Sequence, residues 1–293
     1  MIRSATSLYA ESPDSAHFAP PRRYEGHVNV VSSVLASAEH GLVTASYDGT
    51  ARLFDTESGR TTRLIRLGQY VWGATLANSG NKLLTIPVLF EPATFELHTG
   101  ARAGALNVPF SLCMAELRSE QSPFLNYRAA SGLAVHPRRD VAFVAYSFDS
   151  LLEFDLANGR SAKWLGIPLT TSGRALRPKH VRVSPDGEFL LLWSVEQCVL
   201  WDLGYERTVR GFGSAADPGE ETDLEPVYTC VVDAAFSPDG RAVYTAIASV
   251  VEKWTLSDRS DSASRRFDVD GFVSCLALSP DGGTLPLERR TGS

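Results

Sequence analysis

The sequence predicts an all-β chain assembled from repeated, four-stranded antiparallel sheets, and three observations carry that prediction. Residues 26–59 read as one compact unit. It opens on Gly26-His27, runs through apolar segments at 30–35 and 42–46, turns at Asp48-Gly49, and closes on Phe54-Asp55 and Gly59 after a third run at 50–54. Ser-Pro-Asp-Gly then recurs at 184–187, 237–240 and 279–282; in each copy Pro presets φ at the second turn position and Gly accepts the conformation the last one needs. Finally, an aromatic residue followed by Asp closes a hairpin at Phe54-Asp55, Phe154-Asp155 and Trp201-Asp202. Turns and closures return at a spacing of roughly 40 to 50 residues, as in a repeat array.

In the first unit, Asp48-Gly49 is a hairpin signal because its Gly tolerates positive φ. Residues 60–67 follow as a fourth strand. With its Gly-His opening, Asp-Gly turn and aromatic-Asp close, the unit resembles the WD40 repeat. The resemblance implies a WD40-type β-propeller over residues 23–293, after a flexible lead-in at 1–22. Five blades are recognisable (23–67, 68–106, 127–166, 179–212 and 228–270), with a partial sixth at 271–293. In that family a His, a strand Ser, a turn Asp and a Trp bond in series. The matching positions here are His27, Ser46, Asp48 and Phe54. Phe has no indole N–H, so the network reduces to His27, Ser46 and Asp48, and its expected role is structural. Residues 22–25 stand where such proteins place the outer strand of the last blade.

The second copy begins at Gly68-Gln69, with strands at 71–76 and 82–86 around Asn78-Ser79-Gly80. Pro87 and Pro92 remove ladder donors, which predicts an irregular connection before strands at 95–98 and 102–106. An insertion at 107–127 follows, in which 111–120 carries good helix formers behind a capping Ser111. The third copy places strands at 132–135, 141–147 and 151–155, with Asp149-Ser150 in the Asp-Gly place and Asn158-Gly159 closing the hairpin. The fourth has strands at 181–183, 189–194 and 197–202, and the fifth at 230–236, 242–247 and 250–255. The sixth starts at 272–278 but meets Pro286 where its second strand should run, and no third strand is visible. Three explanations for an incomplete ring stay open: a truncated or frame-shifted product, completion by a partner, or strands supplied by the N-terminal residues.

Of the 293 residues, 44% are apolar and 21% charged, ordinary for a globular chain with enough core to need no staples. The net charge of −6 argues against broad binding to nucleic acid or anionic membranes. Cys113, Cys198, Cys230 and Cys275 form no C-x-x-C pair, so reduced thiols and an intracellular, cytoplasmic location are expected, with the nucleus as the other compatible compartment. The N-terminus has no apolar h-region, and no run of 18 apolar residues occurs, so neither secretion nor a membrane span is expected.

Catalytic, cofactor and metal sites are not expected. The phosphate-loop, nucleophile-elbow and H-E-x-x-H signatures are missing, and the six histidines never fall at metal-ligand spacing. Asp217, Glu220, Glu221, Asp223 and Glu225 crowd the insertion at 213–228 without the periodicity of a calcium loop. Arg174, Arg177, Lys179 and His180 form a basic cluster whose ordinary reading is a solvated loop. The resemblance puts the long connections (107–127, 170–180 and 213–228) on one face with Tyr47 and Phe148, which precede Asp48 and Asp149. Exposed aromatics beside charged loops suit a binding hot spot. The expected function is a non-enzymatic scaffold that binds a protein or peptide through Tyr47, Phe148, Arg174, Arg177 and Lys179, with assembly through an incomplete propeller edge as a further route to partners. The alternative is a subunit of an RNA-associated, ribosome-assembly-like complex, against which the charge and only four lysines count. A propeller enzyme is a third reading.

Overall fold

The computed structural model describes residues 23–77, 80–87, 91–106, 130–146, 150–166, 168–194, 197–213, 231–258, 262–279 and 287–290. Every regular element in them is a strand. The first sheet runs β1 (Val31–Ser37), β2 (Gly41–Ser46), β3 (Thr50–Phe54) and β4 (Thr61–Arg66) in sequential order. The second is β5 (Val71–Ala77), β6 (Lys82–Pro87), β7 (Ala93–Glu96) and β8 (Arg102–Ala105). The third is β9 (Ala130–Val135), β10 (Val141–Tyr146), β11 (Ser150–Asp155) and β12 (Arg160–Gly166). The fourth is β13 (His180–Val183), β14 (Phe189–Trp193), β15 (Cys198–Asp202) and β16 (Arg207–Phe212). The fifth is β17 (Val231–Phe236), β18 (Ala242–Ile247), β19 (Val250–Thr255) and β20 (Arg265–Asp268). Among the described residues a sixth sheet has two strands, β21 (Phe272–Leu276) and β22 (Leu287–Arg290).

The chain therefore has the expected all-β architecture: five four-stranded antiparallel sheets, consistent with a WD40-type propeller. Two compact units divide it. One comprises Arg22–Ile167 with Arg177–Val181 and holds the first three sheets; the other comprises Pro168–Leu176 and Arg182–Ser293.

Three local expectations are corrected. Residues 23–30 form no strand, so the outer strand expected at 22–25 is not found over 23–25. The third strand of the second sheet is Ala93–Glu96 rather than 95–98, because pairing of Thr85 with Ala93 resumes directly after Pro92, whose carbonyl accepts the Leu106 N–H at 2.7 Å. The sixth sheet does have a second strand, since Leu287–Arg290 pairs with Phe272–Leu276; Pro286 itself lies outside the described residues. The lead-in at 1–22, the helix at 111–120 and the acidic cluster at 217–225 lie outside the described residues.

The register shows how one sheet is built to receive the next. β1, β5, β9, β17 and β21 each carry a bulge at the same place, after Val31, Val71, Ala130, Val231 and Val273. In β1, β9 and β17 the residue beyond the bulge forms a joint with the following sheet. Ser33 Oγ accepts the Ala74 N–H at 2.8 Å, and Asp233 Oδ2 accepts the Leu276 N–H at 2.7 Å. Gly132 occupies that position in β9, where a Cβ would lie 2.9 Å from the Cα of His180. There the backbones themselves approach too closely for a side chain. Asp233 also receives Arg182 Nη2 at 3.2 Å from each oxygen and the Ala234 N–H at 2.8 Å, so this buried carboxylate is held from three strands.

The core lies between consecutive sheets. Val43, Leu53 and Ile65 pack with Leu83, Ala93 and Phe95; Leu84, Ile86 and Leu106 pack with Ala130, Val144 and Phe154. In the other unit Leu191, Trp193 and Phe212 meet Val231, Ala234 and Trp254, while Ala235, Tyr244 and Val251 meet Val273 and Leu276.

Candidate interaction site

The first sheet is finished by residues 23–30, which cross its outer face as a strap. Tyr24 sets its ring edge-on to Phe54 at 5.4 Å, and Gly26 lies against the guanidinium of Arg52. His27 then turns inward. Its Nδ1 lies 2.8 Å from Asp48 Oδ2 and its Nε2 2.7 Å from Thr44 Oγ1, with the His27 and Asp48 side chains both buried. A carboxylate only accepts, so Nδ1–H donates to Asp48, while Nε2 bonds the Thr44 hydroxyl. Asp48 further accepts from the Thr50 hydroxyl at 2.6 Å and the Val28 N–H at 3.1 Å. Burial alone would raise its pKa; the hydrogen bonds from Thr50, His27 and Val28 outweigh burial and bring it down to about 2.

Thr44 completes the pair that His27 and Asp48 begin. Ser46 does not reach the imidazole; its hydroxyl accepts the Asp48 N–H at 3.1 Å and donates to the Asn29 carbonyl at 3.3 Å. It fixes the turn and the strap rather than bridging His27. The register explains the difference: Phe54 faces Leu42, and the residue that shares its face one pleat further on is Thr44. The same offset from Trp254, which faces Val243, selects Thr245, and Trp254 Nε1–H donates to Thr245 Oγ1 at 2.9 Å. The His–Asp–Thr part of a His–Asp–Thr–Trp series thus stands in the first sheet and its Thr–Trp part in the fifth.

Locked in this way, the Asp48-Gly49 turn presents Tyr47. The Tyr47 N–H bonds the Val30 carbonyl at 2.9 Å, and its half-buried ring stacks on Trp72, centroids 6.0 Å apart and planes 27° from parallel. Partial burial raises the Tyr47 hydroxyl above its ordinary pKa. Trp72 is the bulge residue of β5, and the bulge turns its indole outward, leaving it 54% exposed. Tyr70, Val28 and Val30 are exposed in the adjoining loop and strap. Tyr70 and Trp72 were legible as a pair of aromatics two residues apart at the opening of a strand, a spacing that points both the same way.

The basic cluster sits on a built loop rather than a loose one. Leu169 and Ala175 bridge, the Thr170 N–H donates to the Arg174 carbonyl at 2.8 Å while the Arg174 N–H donates to Thr170 Oγ1 at 3.0 Å, Leu176 is fully buried, and Gln197 Oε1 accepts the Thr171 N–H at 3.0 Å. Arg174, Arg177 and Lys179 are exposed. Phe148 lies outside the described residues. Among the described residues, no group of three or more His, Cys, Asp or Glu side chains is arranged to hold a metal ion, and no helix is long and apolar enough to cross a membrane.

Residues 18–55, which contain the strap, the first hairpin and Asp48, match the family described as WD domain, G-beta repeat. That stretch is thus similar to one WD40 repeat. The chain's five four-stranded sheets fit that family's architecture, and WD40 repeats generally mediate protein–protein interaction or scaffolding. No curated protein matches the chain. Within the WD40 repeat the His27–Asp48–Thr44 lock supports the hairpin; the exposed aromatics beside it are the part open to a partner.

Proposed function

We propose that the protein is a non-enzymatic interaction scaffold that binds a protein or peptide segment at the aromatic surface formed by Tyr47, Trp72 and Tyr70, flanked by Val28 and Val30. The observation that carries the reading is the stacked Tyr47–Trp72 pair with a half-exposed indole. A ring fixed by stacking loses little side-chain freedom on binding, and Tyr and Trp dominate binding hot spots for that reason. The hairpin beneath is rigid because its turn Asp is held by four donors. Arg174, Arg177 and Lys179 offer a separate contact for acidic groups.

The test is affinity purification from native extract with wild-type, Trp72→Ala and Tyr47→Ala baits. The expected result is loss of the same partner from both variants, each weakened by about 1–3 kcal/mol, while an Arg60→Ala bait retains it. A partner retained undiminished by both aromatic variants overturns the assignment.

A further inference from the structure

The outer strands carry a cation at one recurring register position, opposite the residue that precedes the closing aromatic of the third strand. Arg63 faces Leu53 in the first sheet, Arg210 faces Leu200 in the fourth, and Arg265 faces Lys253 in the fifth. Arg210 shows what the position does when the next sheet supplies it. Its Nη1 donates to the Thr255 carbonyl at 3.0 Å and the Asp258 carbonyl at 2.5 Å, both at the end of β19 and its turn, and its guanidinium lies over the Phe212 and Trp254 rings. Arg265 lies over the Phe267 ring.

Arg63 has no such arrangement. For the first sheet the corresponding turn is β7–β8, which comes close to β4: a Cβ on Gly100 would lie 3.5 Å from Ile65 Cγ1. Yet the exposed Arg63 guanidinium has no hydrogen bond, ion pair or ring contact among the described residues, and it lines, with His98 of that turn, a cavity of about 480 Å³. The place that two carbonyls fill beside Arg210 is open beside Arg63.

The cavity is held in shape by its own sheets, all within the unit that contains the first three. Leu53 and Phe54, both buried, are its apolar lining. His40, its side chain 14% exposed, forms another wall, with Nε2 3.3 Å from Asn81 Oδ1. The His40 N–H donates to Ser37 Oγ at 3.1 Å and the Ser37 hydroxyl to the Gly80 carbonyl at 3.3 Å, so the β1–β2 turn is tied to the second sheet. On the other rim Asp55 Oδ1 accepts the Ser58 N–H at 2.6 Å and closes the β3–β4 turn. Both rims are fixed before anything binds.

An unmet guanidinium asks for an oxyanion, which it binds through two parallel N–H bonds, and an imidazole beside it adds an N–H in either protonation state. Glu39 and Asp55 on the rim set the limit: they would repel a dianion, so a carboxylate suits the cavity better than a phosphate. We propose that this cavity is a second docking site, which takes an aspartate or glutamate side chain from a protein partner's segment onto Arg63, with His98 donating beside it. It lies at the Gly41 end of β2, whereas Tyr47 follows the Ser46 end, so it shares no residue with the aromatic surface and stands or falls apart from it.

The test uses the full chain with two probes, acetyl-Gly-Glu-Gly amide and acetyl-Gly-Gln-Gly amide, followed through the imidazole proton resonances of His98 and His40, which His98→Gln and His40→Gln assign. The Glu probe is expected to shift both resonances to saturation and the Gln probe to leave them in place. Arg63→Ala is expected to weaken the Glu probe by about tenfold or more, and Arg63→Lys by less, since an ammonium keeps the charge and loses the fork. Arg66→Ala, on the same strand but outside the cavity, and Trp72→Ala are expected to bind as wild type does. Inorganic phosphate is expected to bind more weakly than the Glu probe. No saturable shift with the Glu probe, equal shifts with the Gln probe, an Arg63→Ala variant that binds as tightly as wild type, a loss in Arg66→Ala or Trp72→Ala as large as that in Arg63→Ala, or tighter binding of phosphate each overturns the proposal.

Discussion

Trp201 and Trp254 hold the same register position in neighbouring sheets, but only Trp254 finds a hydroxyl. The residue offset from Trp201 as Thr245 is from Trp254 is Leu192, and the buried Trp201 Nε1 has no acceptor among the described residues. An unmet buried donor costs about 1–3 kcal/mol, and a met one loses a comparable amount when its partner is removed. Trp254→Phe is therefore expected to destabilise the chain by about 2 kcal/mol more than Trp201→Phe, as read from urea unfolding of the two variants side by side. Asp48 gives a prediction in pH. Its folded pKa of about 2 lies below the unfolded carboxylate value near 4, so its stabilisation is present above about pH 4 and is lost as pH falls through about 2. Asp48→Asn should cost roughly 2 kcal/mol at neutral pH, and the difference from wild type should shrink in denaturation curves taken below pH 4. His27, Asp48 and the missing indole at Phe54 were legible in the sequence because they sit in a motif. Thr44 was not, because choosing between Thr44 and Ser46 requires the strand register, which side-chain identity does not specify.

At the scale of elements, turn chemistry was the most legible feature. Asp48-Gly49 and the Ser-Pro-Asp-Gly turns at 184–187 and 237–240 all bound strands where expected, with Ser184 and Ser237 hydroxyls bonded to Asp186 and Asp239 inside the turns. Prolines were harder to read. Pro92 shifts the start of its strand instead of removing it, because the residue next to Pro can rejoin the ladder at once. The bulges were illegible: nothing in Ser-Ser, Trp-Gly or Val-Asp marks an extra residue. They nonetheless set the joints, and Gly132 is the most demanding of them. Gly132→Ala would press a Cβ on the His180 backbone and is expected to cost about 1–3 kcal/mol. Thermal unfolding checks this, and a melting temperature equal to wild type would show that the joint can open to admit a methyl group.

For the whole molecule, the sheets found among the described residues were legible from repeated turns, but how exposed each strand is was not, since exposure depends on neighbours and not on pattern. The joint residue has a wider consequence. Ser33, Gly132 and Asp233 meet the same geometric demand with a hydroxyl, a vacancy and a carboxylate, and each solution suits only its own neighbour. Asp233 requires Arg182 beside it, and Gly132 requires the bare backbone at His180. The sheets are thus alike in outline yet not interchangeable in sequence. A duplicated or shuffled sheet would arrive with a joint residue cut for a different neighbour. This tends to freeze the order of the sheets during divergence, while the strands between joints remain free to change.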